Sequence, residues 1–158
     1  AGTLSIMRGG AEGDLALATE ILAPCGTPVA LGPIGAGQVA KACNQLVVSA
    51  TMLGLAESTV LAERSGLDID ALWTLLQGGW AGGNLLRSMQ PRLVAEDYEP
   101  GARVRYLRKD LGFAGEVAQA TGTDPLILGH LRETFEALVE AGHGDQDLSV
   151  ARKYIAER

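Results

Sequence analysis

The chain has 158 residues, enough for one domain with a real core, and its 47% hydrophobic and 20% charged residues are those of a folded globular protein. Nineteen acidic residues against 13 basic give a net charge of −6, which argues against a general nucleic-acid binder or a binder of anionic membranes. Cys25 and Cys43, the two cysteines, have no metal-ligand spacing to His130 or His143, so neither a structural disulfide nor a metal site is expected and a reducing, cytoplasmic setting is the default.

Residues 3–7, Thr-Leu-Ser-Ile-Met, alternate polar and apolar side chains before Gly9-Gly10, the pattern of a short strand. Asp14 is placed to cap a helix over residues 15–22 that Pro24 and Gly26 close. Residues 28–31 predict a second short strand. A strand, a helix and a strand form a βαβ scrap, and two strands are not stable alone. The chain also begins without Met, so Ala1 is expected to be a cut point.

Residues 35–65 are rich in Ala and Leu and contain no proline, which predicts one helix of about 30 residues, roughly 45 Å long. From Lys41 to Glu57 no intervening residue is charged and apolar residues fall on every side, the pattern of a helix buried all round. That uncharged run is short for a bilayer and includes Asn44, Gln45, Ser49 and Thr51, so a core helix is expected in place of a membrane span.

Gly66 is expected to end this helix, with Asp68 capping a short helix over residues 69–76. The glycine-rich run 78–84 lacks the Lys-Ser/Thr pair of a phosphate loop and follows no strand, so it predicts a flexible connection with Trp80 packed on the core. Pro91 is expected to break the next stretch into two helical pieces, 85–89 and 91–95. Helices follow over residues 104–121, stopped by Gly122, and from Asp124-Pro125 to about 141; Asp147 caps the last. The total is some seven helices, with strand near the N-terminus alone.

Gly37, Lys41 and Gln45 are spaced i, i+4, i+8, and Asn44 stands three residues after Lys41, so one helix face carries an ammonium and two amides. A lysine sheltered there could exchange a proton with a hydroxyl or carbonyl oxygen while the amides orient the substrate. The competing reading is an ordinary surface lysine in the first turns of a helix.

Residues 35–45, Gly-Ala-Gly-Gln-Val-Ala-Lys-Ala-Cys-Asn-Gln, resemble the Gly-x-Gly-x-x-x-Lys-x-x-Asn-Asn signature of the β-hydroxyacid dehydrogenases, which include 3-hydroxyisobutyrate dehydrogenase and tartronate semialdehyde reductase. Residues 1–10 are similar to the late strand of that family's nucleotide-binding domain, and Lys109-Asp110-Leu111 to its second lysine motif. The resemblance implies a mainly α chain: the C-terminal all-helical domain of a 6-phosphogluconate dehydrogenase-like fold, preceded by the last two strands and one helix of a truncated Rossmann domain. Residues 1–34 would be the dinucleotide-binding remnant, 35–65 the interdomain helix, and 66–158 the helical substrate and dimerisation domain. It further implies Lys41 as catalytic acid/base, Asn44 and Gln45 at the substrate, and Lys109 against NAD or NADP. Hydride would pass between a nicotinamide and a small 3-hydroxy acid or its semialdehyde in a homodimer.

Gln45 stands where the family has Asn, longer by one methylene, about 1 Å, enough to alter substrate choice or rate. The Gly-x-Gly-x-x-Gly pyrophosphate turn and the family's Ser-Gly-Gly substrate loop are absent from the chain, so by itself it is expected neither to bind NAD(P) tightly nor to turn over. Two other readings stand beside this one: a non-catalytic helical dimerisation module, and a fragment of an imine reductase, which the retention of Lys41 disfavours.

Overall fold

In the computed structural model, which describes residues 2–158, strand β1 (Leu4–Arg8) leads through helix α1 (Glu12–Leu22) and a 3₁₀ turn (Ala23–Cys25) to strand β2 (Gly26–Ala30). The strands pair in parallel, Leu4 opposite Gly26 and Arg8 opposite Ala30. Helix α1 starts two residues before Asp14; Ala11 occupies the cap, and Glu12 and Asp14 both sit in the first turn, where the helix dipole favours negative charge. The Arg8 guanidinium ties the unit together, donating to the Leu15 carbonyl at 2.6 Å and the Thr19 hydroxyl at 2.8 Å.

Helix α2 (Ala36–Arg64) is the spine, continuous over 29 residues as its composition predicts. It passes close under β1: a Cβ at Gly37 would lie 2.6 Å from the Met7 carbonyl oxygen, so a residue without a side chain sets this approach. The spine is not buried all round. Met52, Ala56, Thr59 and Val60 face the core, whereas Val47 and Leu61 are 65% and 69% exposed, because the remaining helices cover one side of it. It is long and apolar enough to cross a membrane by length and composition, yet half its turns pack into this core.

Helix α3 (Ile69–Leu76) begins where Asp68 accepts from the Ala71 N–H at 2.9 Å, the expected cap. Helix α4 (Asn84–Ala95) runs straight through Pro91 as one element, contrary to the two pieces expected. Burial of Leu86, Met89, Gln90 and Leu93 on both sides of the proline outweighs the one backbone hydrogen bond it removes. Gln90 adds polar ties, donating to the Asp70 carboxylate at 2.8 Å and the Thr74 hydroxyl at 3.1 Å. Trp80, expected on the core, is instead fully exposed in the loop between α3 and α4; the interior place is taken by Trp73, whose indole N–H donates to the buried Thr59 hydroxyl at 3.2 Å.

Helix α5 (Val104–Thr121) has the predicted bounds, and Gly122 stops it with a φ of +65°. Helix α6 (Leu128–Leu138) starts later than Asp124-Pro125 would place it, after a turn that leaves Leu126 exposed, and passes into a π turn (Val139–His143) that Gly142 ends at φ +86°. Asp147 caps the closing segment as expected, a 3₁₀ turn (Leu148–Val150) and helix α7 (Ala151–Ala156). Its fully buried carboxylate also accepts from the Gly101 and Ala102 N–H groups at 3.1 and 2.7 Å, fastening the α4–α5 loop to the C-terminal segment. Arg152, its side chain 5% exposed, donates to the Leu93 carbonyl at 2.6 Å and pairs with Glu63 and Glu96, joining α2, α4 and α7. The fold is thus mainly α, one core of Met52, Leu93, Leu111, Phe135, Leu138 and Val150 with a two-stranded parallel sheet at the spine's first turns.

Candidate active site

The N-terminal third of α2 and the first half of α5 lie side by side, and the residues singled out in the sequence meet there. Lys41 and Gln45, one turn apart on α2, both point at Asp110 on α5. The Lys41 ammonium is 3.2 Å from Asp110 Oδ2 and donates to Oδ1 at 3.3 Å; Gln45 Nε2 donates to Oδ2 at 2.8 Å. Asn44 Nδ2 in turn donates to Gln45 Oε1 at 3.1 Å, and Lys109 Nζ stands 3.3 Å from Asp110 Oδ1. Three of the four residues expected at the site therefore meet at one carboxylate, and Asn44 is tied to it through Gln45.

The lysine is not buried, as the uncharged run suggested, but 49% exposed, while Asp110 is only 12% exposed. The difference follows from the packing: β1 covers this face of α2 at Gly37, and one turn on, at Lys41, the same face opens between the sheet and α5. Burial by itself pushes the Asp110 carboxyl up; the hydrogen bonds from Gln45, Lys41 and Lys109 together outweigh it and hold the group below the ordinary carboxylate value.

Asp110 is the residue that sequence reasoning did not single out, and its signal was present. Leu107, Leu111 and Ala114 form the buried face of α5, and position 110 falls on the same i, i+3, i+4, i+7 stripe. A carboxylate on an otherwise apolar stripe calls for a cationic or hydrogen-bonding partner from the facing helix.

Two clefts meet at Lys41. The larger, about 780 Å³, runs between β1 with its Gly9-Gly10 turn and the start of α2, and reaches Lys41, Asn44 and Gln45. The smaller, about 380 Å³, lies between α2 and α5 and is walled by Gln38, Lys41, Lys109, Phe113 and Glu116. Its lining pairs two ammonium groups with the carboxylates of Asp110 and Glu116 beside the Phe113 ring. Among the described residues no cluster of His, Cys, Asp and Glu has the makings of a metal site.

Comparison with known proteins gives the same picture a family. Residues 35–155 match the family described as NAD-binding of NADP-dependent 3-hydroxyisobutyrate dehydrogenase. The mitochondrial 3-hydroxyisobutyrate dehydrogenase of Mus musculus is 32% identical over 165 residues, covering 99% of this chain and 49% of that protein. The NAD-dependent L-serine dehydrogenase of Pseudomonas aeruginosa is 31% identical over 161 residues, covering 97% of this chain and 54% of that protein. Among solved structures, Mycobacterium tuberculosis 3-hydroxyisobutyrate dehydrogenase with L-serine superposes with a TM-score of 0.83 at 30% identity, over 93% of this chain and 53% of that one. The chain thus spans about half the length of these relatives. The spine and the helices packed on it fall within the matched residues, and the chain belongs to the 3-hydroxyisobutyrate dehydrogenase family.

Proposed function

We propose that the chain is the C-terminal part of an NAD(P)-dependent oxidoreductase that moves a hydride between a nicotinamide and a small 3-hydroxy acid or its semialdehyde. The observation that carries this reading is the position of Lys41: its ammonium stands on the wall common to both clefts, fixed by Asp110 at 3.2 Å. Substrate in the larger cleft and cofactor in the smaller would each meet it.

Lys41 is the acid/base. Its ammonium donates a hydrogen bond to the substrate's reacting oxygen; in oxidation the neutral amine takes the hydroxyl proton, and in reduction the ammonium returns it. Asp110 keeps the ammonium in place at 3.2 Å. Asn44 and Gln45 line the same cleft and orient the substrate. Lys109, 69% exposed beside the smaller cleft, meets an anionic part of the cofactor. Bound nicotinamide supplies or accepts the hydride. The phosphate-cradling loop is not in these 158 residues, so this chain alone is expected to bind NAD or NADP weakly and to be inactive.

A homodimer in a cytoplasmic setting completes the reading. The exposed Val47 and Leu61 on the outer side of the spine offer apolar area for pairing, and both cysteines are free. The test is steady-state kinetics of the protein encoded by the whole reading frame. Lys41→Ala is expected to lower kcat about 10²–10⁴-fold. Unchanged kcat in that variant would sink the acid/base assignment, whereas absence of hydride transfer in the wild type would favour the non-catalytic dimerisation module.

A further inference from the structure

We infer that two copies of this chain pair through the outer side of the spine, their α2 helices crossing antiparallel at Gly54 with a two-fold axis through the crossing. The inference takes up the homodimer of the reading above and rests on it; the arrangement of the pair is read from the surface of α2.

Val47, Thr51, Gly54, Ser58 and Leu61 follow one another at steps of four and three residues, so they stand in one row along the helix, and all five are exposed. The row carries no charge, and Val47 and Leu61 are its large apolar members. Gly54 lies at its centre. A glycine in mid-helix costs stability, and at Gly37 the close approach of β1 accounts for it. At Gly54 a Cβ would meet nothing within 4 Å, so no contact inside the chain requires the glycine. The close approach of a backbone from outside does.

Symmetry of the row names the occupant. Val47 and Leu61 each stand seven residues, about 10 Å, from Gly54, so a two-fold axis there lays Val47 of one copy beside the partner's Leu61. Farther out the same axis brings a knob to a hollow. Leu31, Ile34, Val39 and Ala40 line an apolar groove of about 500 Å³, and Ala40 continues the row 14 residues before Gly54. Leu67, exposed just past the end of the spine, stands 13 residues after Gly54, at the level of the partner's groove when the helices cross at a shallow angle of about 20°. Each copy therefore offers at one end what the other end of its partner accepts. Charge sets the direction: an antiparallel pair places Glu57, on the flank of the row, opposite the partner's Thr51, whereas a parallel pair in register would set the two Glu57 carboxylates side by side. The sheet is no rival cover, because β1 meets α2 at Gly37, about 36 Å along the helix from Leu61.

Sedimentation equilibrium of the 158-residue chain measures the pairing. The wild type is expected at twice the chain mass at micromolar concentration. Gly54→Leu has open space within its own chain but blocks the crossing; it is expected to raise the dimer Kd about a hundredfold with helical circular dichroism unchanged. Leu67→Asp is expected to raise Kd about tenfold, and Leu126→Asp, at an exposed leucine before α6, by less than about twofold. In a chain carrying Cys25→Ser and Cys43→Ser, Gly54→Cys is expected to oxidise to a covalent dimer, since the crossing brings the two Cα atoms within about 7 Å. A monomeric wild type, a dimer that Gly54→Leu leaves intact, or failure of the Gly54→Cys link overturns the pairing. Hydride transfer is read separately: its absence from a chain that dimerises in this way would remove the functional reading and leave the pairing standing.

Discussion

Gln45 and Asp110 are 65 positions apart in the chain and 2.8 Å apart in the fold, the shortest side-chain contact between the spine and the helix that faces it at the site. Its energetic signature belongs to acid pH. Burial pushes the Asp110 carboxyl up, and the hydrogen bonds from Gln45, Lys41 and Lys109 bring it below 3.8 despite that. A carboxylate depressed in the folded state adds stability above its unfolded value and loses it as pH falls through the folded one. Urea midpoints are therefore expected to fall below pH 3.8 more steeply in the wild type than in Asp110→Asn. Parallel pH profiles would show that the carboxylate contributes nothing to folding.

At Gly37 the spine touches β1 through backbone alone. A methyl group would sit 2.6 Å from the Met7 carbonyl, so Gly37→Ala must push strand and helix apart. The expected cost is about 1–3 kcal/mol, seen as a lower thermal midpoint. Amide exchange should quicken in β1 before it does in α5.

Arg152 is a buried cation held by one carbonyl and two glutamates. Arg152→Ala leaves the Leu93 carbonyl unpaired and is expected to cost about 3 kcal/mol in chemical denaturation. Glu63→Gln should cost no more than about 1 kcal/mol, because Glu63 is 46% exposed and its pairing is screened. Similar losses in both variants would contradict the assignment of the energy to the arginine's inward contacts.

The two tryptophans should report opposite surroundings. Trp80 is expected to be quenched freely by iodide and Trp80→Phe to change stability by less than about 0.5 kcal/mol. Trp73→Phe removes an indole bonded to Thr59 inside the core and is expected to cost about 1–3 kcal/mol. Emission spectra of the two single variants separate the contributions.

Tyr98 extends the pH behaviour to the alkaline side. Burial, then the neighbouring Glu96 carboxylate, push its hydroxyl from 10.0 up to about 12. A value raised on folding contributes stability in full below pH 10 that is lost as pH rises through about 12. Absorbance titration at high pH should lose its last tyrosinate step in Tyr98→Phe.

Local signals in the sequence located most of the elements. The Asp68 cap, the Gly122 stop, the Asp147 cap and the uninterrupted 35–65 run each act through a few neighbouring residues, and all four stand in the structure. Misreadings came where tertiary burial decides. The missing N–H of Pro91 is a local fact that predicts a break, whereas the burial of Met89 and Leu93 around it depends on α2, α3 and the turn Leu148–Val150. Hydrophobicity alone predicts Trp80 inside, although the six other residues of the 78–84 run offer nothing to pack it against, and Trp73 on the preceding helix fills that role. At the site, Lys41, Asn44 and Gln45 stand out by spacing and by resemblance, and Lys109 by resemblance alone. Asp110, the group that brings them together, was named only as part of a motif, since which way a carboxylate turns is settled by the facing helix.

The last dozen residues carry a burden out of proportion to their number. Asp147 closes the loop before α5, Val150 and Ala151 lie in the core, and Arg152 reaches α2 and α4. Segments made earlier in translation thus wait for this one. Until residues 147–152 have left the ribosome, the spine and α4 lack the partners that seal them, so the helical domain closes as one unit and not helix by helix.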